Sequence, residues 1–256
     1  MNLNLKNFTK KILLKIYLLI KNPKYIKKFF YNKQKDYKYN ENLIRSLGYQ
    51  KNKIIKTLSS CGIDYYDEKI SWHYHIFSMF SEKKNIKNIL EIGTYKGEFT
   101  LFLSNIFKSS KIYTIDLPKN NKKFINSYNR ENMNNFLEIR KKNLNKKNII
   151  FKEISSKYIL NIFKKKFDLI WIDGDHLNPQ VSQDIMSSLF LIKNNGFIVC
   201  DDIIMNNYKD KYVSNDSYKK LKALEKNQIK NFFFIKRCRN NNAMKKKYIS
   251  VSYKLN

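Results

Sequence analysis

The sequence predicts an α/β protein built on a doubly wound, mostly parallel sheet. From residue 71 onward, short apolar runs alternate with segments of helical periodicity, as in sheets whose parallel strands are joined by crossover helices. The run 167–173 is nearly continuously apolar, which is typical of a strand buried on both faces. Acidic residues end several of these runs, at the edge where parallel sheets bind ligands.

Residues 1–70 are predicted to be a basic helical extension that precedes a domain spanning 71–256. Within 1–35, apolar side chains recur at helical spacing between lysines. Such a helix suits the surface of an anionic membrane; the alternatives are packing on the domain or on a second subunit of a homo-oligomer. We expect 33–50 to be a loosely ordered connection and 52–61 to be a short helix.

The elements of the main domain follow in a regular order. A helix at 71–80 precedes the first strand, and its His73 and His75 are candidates for ligand contact or for structural hydrogen bonds. The predicted strands are 89–92, 111–115, 148–153, 167–173, 196–200, 231–236 and 247–252. Helical periodicity marks 99–103, 179–193 and 218–226, and 119–145 reads as a polar, helix-compatible insert.

The charge of the chain admits two interpretations. A net charge of +30 and a pI of about 9.8 indicate nucleic acid or an anionic membrane as partner. However, lysines are spread along the whole chain, and the abundance of Lys, Asn and Ile with only 6 Gly and 3 Pro is typical of an AT-rich genome. We favour this second explanation, and with it no nucleic-acid partner.

Cysteine usage and hydropathy bear on the compartment. The three cysteines, Cys61, Cys200 and Cys238, are odd in number and widely spaced, which favours neither a disulfide framework nor a metal cluster. We therefore expect a reducing cytoplasm, with Cys200 in the core. The most apolar N-terminal stretch, 12–20, contains Lys15 and is too short to span a bilayer, and it lacks the cleavage site of a signal peptide. Peripheral contact with the inner membrane surface through 1–35 remains open.

A glycine turn follows the first predicted strand. The sequence Gly93-Thr94-Tyr95-Lys96-Gly97 leads directly into an apolar-periodic helix. Strand, glycine turn and helix together bring backbone N–H groups close to a ligand. Glu91 lies at the end of the first strand and Asp116 follows the second. Two acids at successive strand ends suit a ligand that carries an ammonium group and a ribose diol.

These residues resemble the class I S-adenosylmethionine (SAM) methyltransferases. The Glu-x-Gly-x-x-x-Gly form that begins at Glu91, followed by an acid after the second strand, is similar to their cofactor turn, and the threonines after the glycines resemble the O-methyltransferase branch. The resemblance covers about residues 71–256 and implies a Rossmann-like, seven-stranded sheet with an antiparallel final strand. It implies that SAM is bound by Glu91, Gly93, Thr94, Tyr95, Gly97, Thr100, Asp116, Ser155 and Asp173.

A second set of acids follows the fourth and fifth strands. Asp173 ends one strand and Asp201-Asp202 end the next, and neighbouring carboxylates of this kind suit a hard cation such as Mg²⁺. The resemblance to metal-dependent O-methyltransferases implies Asp173, Asp201 and Asp202 as metal ligands, although Asp202 stands where that family has Asn. The alternative is a metal-free enzyme in which Asp173 faces SAM and Asp202 caps a loop.

His176 lies three residues after Asp173, where the metal-dependent relatives place a basic residue. A neutral imidazole can accept a hydroxyl proton near pH 7. His176 is therefore the candidate general base, with Asp173 as the second catalytic residue. The alternative is that His176 only orients a carboxylate or binds the turn.

The leading hypothesis is a SAM-dependent O-methyltransferase that acts on a hydroxyl of a small molecule, sugar or glycan precursor. The Asp173-Gly174-Asp175-His176 turn resembles that of bacterial sugar and natural-product methyltransferases. The alternative is a nucleic-acid (RNA) methyltransferase, prompted by the net charge. Enzymes that methylate base amino groups typically carry an Asn/Asp-Pro-Pro-aromatic motif at this turn to hold a flipped base, and this chain does not. A basic interaction protein with a degenerate fold is the third hypothesis.

Overall fold

The computed structural model describes residues 33–83, 85–126, 132–210, 212–225, 227–238 and 246–255. Their centre is a seven-stranded sheet with the order β3-β2-β1-β4-β5-β7-β6. The strands are β1 (Asn88–Ile92), β2 (Lys111–Asp116), β3 (Ile149–Glu153), β4 (Phe167–Ile172), β5 (Ile192–Ile203), β6 (Ile229–Ile235) and β7 (Tyr248–Lys254). β1 to β5 pair in parallel, and β7 runs antiparallel to both β5 and β6. The predicted fold class is confirmed.

Helices precede β1 and lie between most of the successive strands. They are α1 (Lys33–Ser46), α2 (Lys51–Ser60), α3 (His73–Phe80), α4 (Glu98–Ile106), α5 (Lys122–Asn126), α6 (Met133–Leu144), α7 (Ile159–Ile162), α8 (Gln180–Leu191) and α9 (Asp216–Leu224), with a 3₁₀ turn at Ser156–Tyr158. The predicted insert 119–145 contains α5 and α6. The fifth strand begins earlier than predicted, at Ile192, directly after α8.

Two hydrophobic cores cover the two faces of the sheet. Along β4, Leu169 and Trp171 belong to one core, and Ile170 and Ile172 to the other. Successive side chains of a strand point to opposite faces, so a strand between two cores must be apolar at nearly every position. This explains why the central strands could be predicted from their continuous apolar character.

Helix α1 corrects the prediction of a loosely ordered connection at 33–50. Tyr37, Asn40 and Ile44 recur at helical spacing and are all buried. Asn40 Nδ2 donates to Ile235 O at 2.9 Å, and Ile235 N donates to Asn40 Oδ1 at 2.8 Å, which ties α1 to the end of the edge strand β6. The segment looked irregular because its buried face is aromatic and polar instead of aliphatic.

The predicted N-terminal extension is described only in part. The basic amphipathic helix expected within 1–35 lies almost wholly outside the described residues. The described part of the extension shares a core with the sheet, through Ile44, Ile54 and Leu58, and a domain boundary at residue 70 stays a prediction. Within the part of the chain that the structure describes, no helix has the length and apolar character needed to cross a bilayer.

Candidate active site

The glycine turn lies between the ends of β1 and β4. Gly93 has φ 103°, and a Cβ there would lie 2.2 Å from the carbonyl oxygen of Asp173. Only glycine therefore allows the backbone segments at residues 93 and 173 to approach this closely. Asp173 N donates to Ile92 O at 2.8 Å on the same approach. Gly97, with φ 77°, caps α4, and a Cβ there would meet Leu144 of α6 at 2.9 Å. The turn is thus fixed between β4 and α6.

Glu91 faces inward under this turn. Its side chain is 1% exposed, and its Oε2 accepts hydrogen bonds from Thr100 Oγ1 at 2.5 Å and from Thr114 Oγ1 at 2.6 Å. Thr114 Oγ1 lies 2.6 Å from Thr94 Oγ1. Burial raises the pKa of Glu91 to about 7, although the two threonine hydroxyls act in the opposite direction. The structure thus joins three predicted cofactor residues, Glu91, Thr94 and Thr100, in one buried network, and their direct contact with SAM stays a prediction.

Asp116 ends β2 and is held by two groups. Its Oδ2 accepts from Tyr95 N at 2.9 Å and pairs with Arg140 Nη2 at 2.8 Å, while Arg140 Nε donates to Tyr95 O at 2.6 Å. Arg140, on α6, is 3% exposed and lies over the rings of Phe124 and Phe136. Sequence reasoning missed Arg140, whose only signal was its helical spacing from Phe136 in the polar insert 119–145. Asp116 is fixed where the acid after the second strand is expected to meet the ribose diol.

Ser155, predicted near the adenine, caps the 3₁₀ turn after β3, where its Oγ accepts from Lys157 N at 3.4 Å. The neighbouring Ser156 Oγ accepts from Gln180 Nε2 at 2.9 Å, and Gln180 also donates to Asp184 at 2.8 Å. Ser156 therefore belongs to a polar network with α8. Ser155 lies at the edge of the sheet next to the Asp116 site, and its adenine contact stays a prediction.

Asp173, Asp201 and Asp202 come together at the carboxyl ends of β4 and β5. The pairing of β5 with β7 is irregular between Cys200 and Ile203, and Asp202 has φ 52°. In a regular strand the two aspartates would point to opposite faces, but a bulge with one left-handed residue re-aims a side chain. Both Asp201 and Asp202 therefore reach the same lysine, Lys236.

Lys236 follows β6, and its Nζ lies 2.5 Å from Asp201 Oδ2 and 2.6 Å from Asp202 Oδ1. Lys247, just before β7, pairs with Asp202 Oδ2 at 2.6 Å. Because β7 is antiparallel, its first residue lies at the edge where β5 and β6 end, and Lys236 N donates to Lys247 O there at 3.0 Å. Sequence reasoning missed both lysines, since nothing local distinguishes them in a lysine-rich chain.

The residues of this cluster do not fit the predicted Mg²⁺ site. Three of the four carboxylate oxygens of Asp201 and Asp202 are engaged by lysine ammonium groups. Among the described residues, no group of three His, Cys, Asp or Glu side chains has an arrangement that could hold a metal ion. The prediction of Asp173, Asp201 and Asp202 as metal ligands is therefore not supported, because two lysines from distant strands already compensate the charge.

His176 borders this cluster. Its side chain is 10% exposed, with Nε2 3.6 Å from Asp173 Oδ1 and 3.8 Å from Asp202 Oδ2. Burial lowers the pKa of His176, although the charges of Asp202 and Asp201 oppose this. Desolvation, followed by the charge of Asp201, raises the pKa of Asp173 well above its usual range. Asp173 nevertheless keeps 36% of its side-chain surface accessible.

The two histidines of α3 differ in their surroundings. His75 Nε2 lies 2.8 Å from Tyr65 O, and its ring stacks on Trp72 at 4.3 Å, which is a structural role. His73 packs against Phe99 and Trp171. Burial lowers the pKa of His73 to about 3, against the charge of Asp201. His73 therefore lies near the acidic cluster as a neutral ring.

Comparisons with known proteins agree with this geometry. Residues 90–203 match a family model described as a methyltransferase domain, and no curated protein matches the chain. A proposed O-methyltransferase from Klebsiella pneumoniae has 13% identity and a TM-score of 0.54 over 86% of this chain and 99% of its own. A proposed caffeoyl-CoA O-methyltransferase from Staphylococcus aureus has 16% identity and a TM-score of 0.52, over 85% and 98%.

An rRNA methylase from Streptococcus thermophilus has the same fold, with 11% identity and a TM-score of 0.52 over 72% of this chain and 96% of its own. At these identities the structural likenesses show the fold alone, and the family model adds the match of residues 90–203 to a methyltransferase domain. The family match covers residues 90–203, from β1 to the end of β5, and the sheet order over these strands agrees with it. This part of the chain is therefore a methyltransferase domain, and its fold resembles that of the O-methyltransferase branch.

Proposed function

We propose that the chain transfers the methyl group of SAM to a hydroxyl of a small molecule, sugar or glycan precursor, with His176 as the general base. The observation that carries this proposal is the position of His176 Nε2, 3.6 Å from Asp173 Oδ1 and 3.8 Å from Asp202 Oδ2. Both distances exceed a hydrogen bond, and a hydroxyl group can bridge each gap. An acceptor hydroxyl placed there would contact a base and a carboxylate together.

The protonation state of His176 supports this role. A base must be neutral before the reaction, and burial lowers the pKa of His176, so that the ring is neutral near pH 7. Asp202 faces the same nitrogen, and although burial opposes them, the ammonium groups of Lys236 and Lys247 hold the pKa of Asp202 below the usual range. A negative carboxylate at that position would stabilise the imidazolium that forms when the proton is taken.

The glycine turn and the acceptor side of the proposed site are adjacent. SAM, when bound at the glycine turn, supplies an electrophilic methyl group on a sulfonium sulfur. Gly93 lies against the backbone of Asp173, so the glycine turn borders directly on the acceptor side, where Asp173 and His176 lie. His176 Nε2 would take the hydroxyl proton, and bound SAM would supply the methyl carbon to which the hydroxyl oxygen bonds, with the sulfur as the leaving group. The products are a methyl ether, S-adenosylhomocysteine and a proton, and most of the acceleration would come from positioning.

His176→Ala tests the proposal. We expect methyl transfer to a panel of free and nucleotide-linked sugars, followed as S-adenosylhomocysteine release, to fall by about 10²- to 10⁴-fold. SAM affinity, measured by calorimetry, should stay at the wild-type value because His176 lies on the acceptor side. Asp175→Asn is the matched control, since Asp175 precedes His176 in the same turn and its Oδ1 accepts from Leu177 N at 3.1 Å. Wild-type turnover in His176→Ala would remove His176 from the mechanism.

An RNA acceptor is the second candidate, and the net charge of +30 favours it. Phosphate contacts by many lysines would give a steep loss of affinity with salt. Adding total RNA to the same transfer assay separates the two candidates. Methyl incorporation into RNA, together with salt-dependent RNA binding, would favour this candidate over a saccharide acceptor.

A further inference from the structure

Lysine side chains of the protein itself neutralise the Asp201-Asp202 pair. Three of its four carboxylate oxygens have a lysine partner: Asp201 Oδ2 and Asp202 Oδ1 contact Lys236, and Asp202 Oδ2 contacts Lys247. The side chains of Asp201, Asp202 and Lys236 are 3%, 12% and 15% exposed. Interactions between charges this deeply buried are screened little by solvent.

The fourth oxygen, Asp201 Oδ1, is buried and accepts no hydrogen bond from a donor among the described residues. Its neighbour is Asp173, whose pKa is raised by desolvation and then by the charge of Asp201. The two carboxylates of Asp201 and Asp202 and the two ammonium groups of Lys236 and Lys247 sum to zero.

We infer that Lys236 takes the place of a divalent cation in this site, so that its ammonium group holds Asp201 and Asp202 together and the enzyme works without a metal. Burial alone would lower the pKa of Lys236, but the charges of Asp201 and Asp202 outweigh it and raise the pKa, so the ammonium stays charged. A metal ion at these oxygens would have to displace a buried ammonium group whose charge the carboxylates already balance.

Lys236 is a positioning residue for the proposed reaction. It fixes Asp202, whose Oδ2 faces His176 Nε2 at 3.8 Å, and it does so from the end of β6, two strands away from β5. The carboxylate opposite the base is thereby held in one orientation. This role rests on the proposed function, whereas the exclusion of metal does not.

A Mn²⁺ titration decides the inference. Mn²⁺ binding is followed by electron paramagnetic resonance in the wild type, in Lys236→Met and in Lys193→Met. Lys193 pairs with Asp168 at 2.6 Å, beside the other ends of β4 and β5, so Lys193→Met makes the same charge change away from the cluster. We expect no saturable site in the wild type or in Lys193→Met. Lys236→Met should gain a Mn²⁺ site whose affinity is at least about tenfold higher than any Mn²⁺ binding by the wild type. Mg²⁺ should displace Mn²⁺ from this site.

A saturable one-to-one Mn²⁺ site in the wild type would overturn the inference, as would a folded Lys236→Met without any gain in Mn²⁺ binding. If Lys236→Met does not fold, the wild-type titration still decides between the two outcomes. Turnover supplies a separate arm, in which EDTA should leave the rate of the wild type unchanged and a loss reversed by Mg²⁺ would overturn the inference. Failure to methylate any hydroxyl acceptor would contradict the proposed function but not the Mn²⁺ result.

Discussion

Glu91 shows what burial does to a single carboxyl group at the cofactor turn. The side chain has lost almost all contact with water, and two threonine hydroxyls donate to one of its oxygens. The hydrogen bonds favour the charged form, but desolvation is the larger effect and raises the pKa of Glu91 from 4.5 to about 7. Ionisation therefore costs more in the folded protein than in the unfolded chain.

This shift predicts a pH dependence of stability. Because its pKa is raised, Glu91 stays protonated to a higher pH in the folded state than in the unfolded chain. The free energy of unfolding should therefore fall as pH rises from about 4.5 to about 7 and level off above. The loss from this one group is about 3 kcal/mol. Glu91→Gln removes the ionisation, so urea unfolding at pH 5 and pH 8 should show the variant gaining stability relative to the wild type at the higher pH.

Glu98→Gln is the matched control, because Glu98 is an exposed carboxyl group in the first turn of α4. Its difference from the wild type should be the same at both pH values within about 0.5 kcal/mol. An identical difference between the wild type and Glu91→Gln at pH 5 and pH 8 would show that Glu91 is not desolvated as the structure places it.

Sequence reasoning at the residue scale found the acids but not their partners. Asp116 and Asp202 were visible because each follows a predicted strand. Arg140, Lys236 and Lys247 reach them from 24, 34 and 45 residues away in the chain. Such pairs depend on the register and direction of β7 and on the placement of α6, which no local pattern encodes. The metal site was predicted because these partners were missing. Three neighbouring carboxylates need positive charge, and without the lysines a metal ion was the available source.

At the scale of elements, predictability followed the strength of the periodic signal. The central strands are apolar at nearly every position because two cores need both faces. The ends of β1 and β4 were predicted to within one residue, whereas β5 extends beyond its predicted range 196–200 on both sides. Helix α1 was missed because Asn40 occupies the centre of its buried face. Asparagine is common in turns, so its presence here indicated a loop. In the structure, the Asn40 side-chain amide instead forms the two hydrogen bonds to the Ile235 backbone that a neighbouring strand would otherwise form at the edge of the sheet.

Asn40→Ala should therefore destabilise the docking of α1 on β6. The substitution leaves the N–H and C=O of Ile235 without their amide partner in a buried place, which costs about 2 kcal/mol. Chemical unfolding measures the loss directly. Tyr39→Phe serves as the control, since Tyr39 donates to Phe233 O on the same strand but is exposed, and it should change the free energy of unfolding by less than about 0.5 kcal/mol. Equal effects of the two substitutions would contradict the docking role of Asn40.

At the scale of the whole molecule, the fold could be predicted from the sequence, but the cause of the high net charge could not. Alternating strands and helices predicted the sheet, and the glycine turn predicted which edge binds the cofactor. The net charge of +30 fits a codon bias as well as a partner, since dispersed lysines form no signature of their own. Its effect on stability is independent of which explanation holds, because like charges repel in either case.

Salt should accordingly stabilise the protein. Raising NaCl from about 0.01 M to about 1 M shortens the Debye length from about 30 Å to about 3 Å, which screens the repulsion between the excess positive charges. Salt also weakens exposed ion pairs such as Lys222–Glu225, but such pairs contribute little, and the buried Lys236 cluster is screened far less. We therefore expect the melting temperature to rise with salt, by roughly 2–4 °C for each kcal/mol gained. KCl should act like NaCl if screening is the cause, and a melting temperature that falls with both salts would show that ion pairs outweigh the net repulsion.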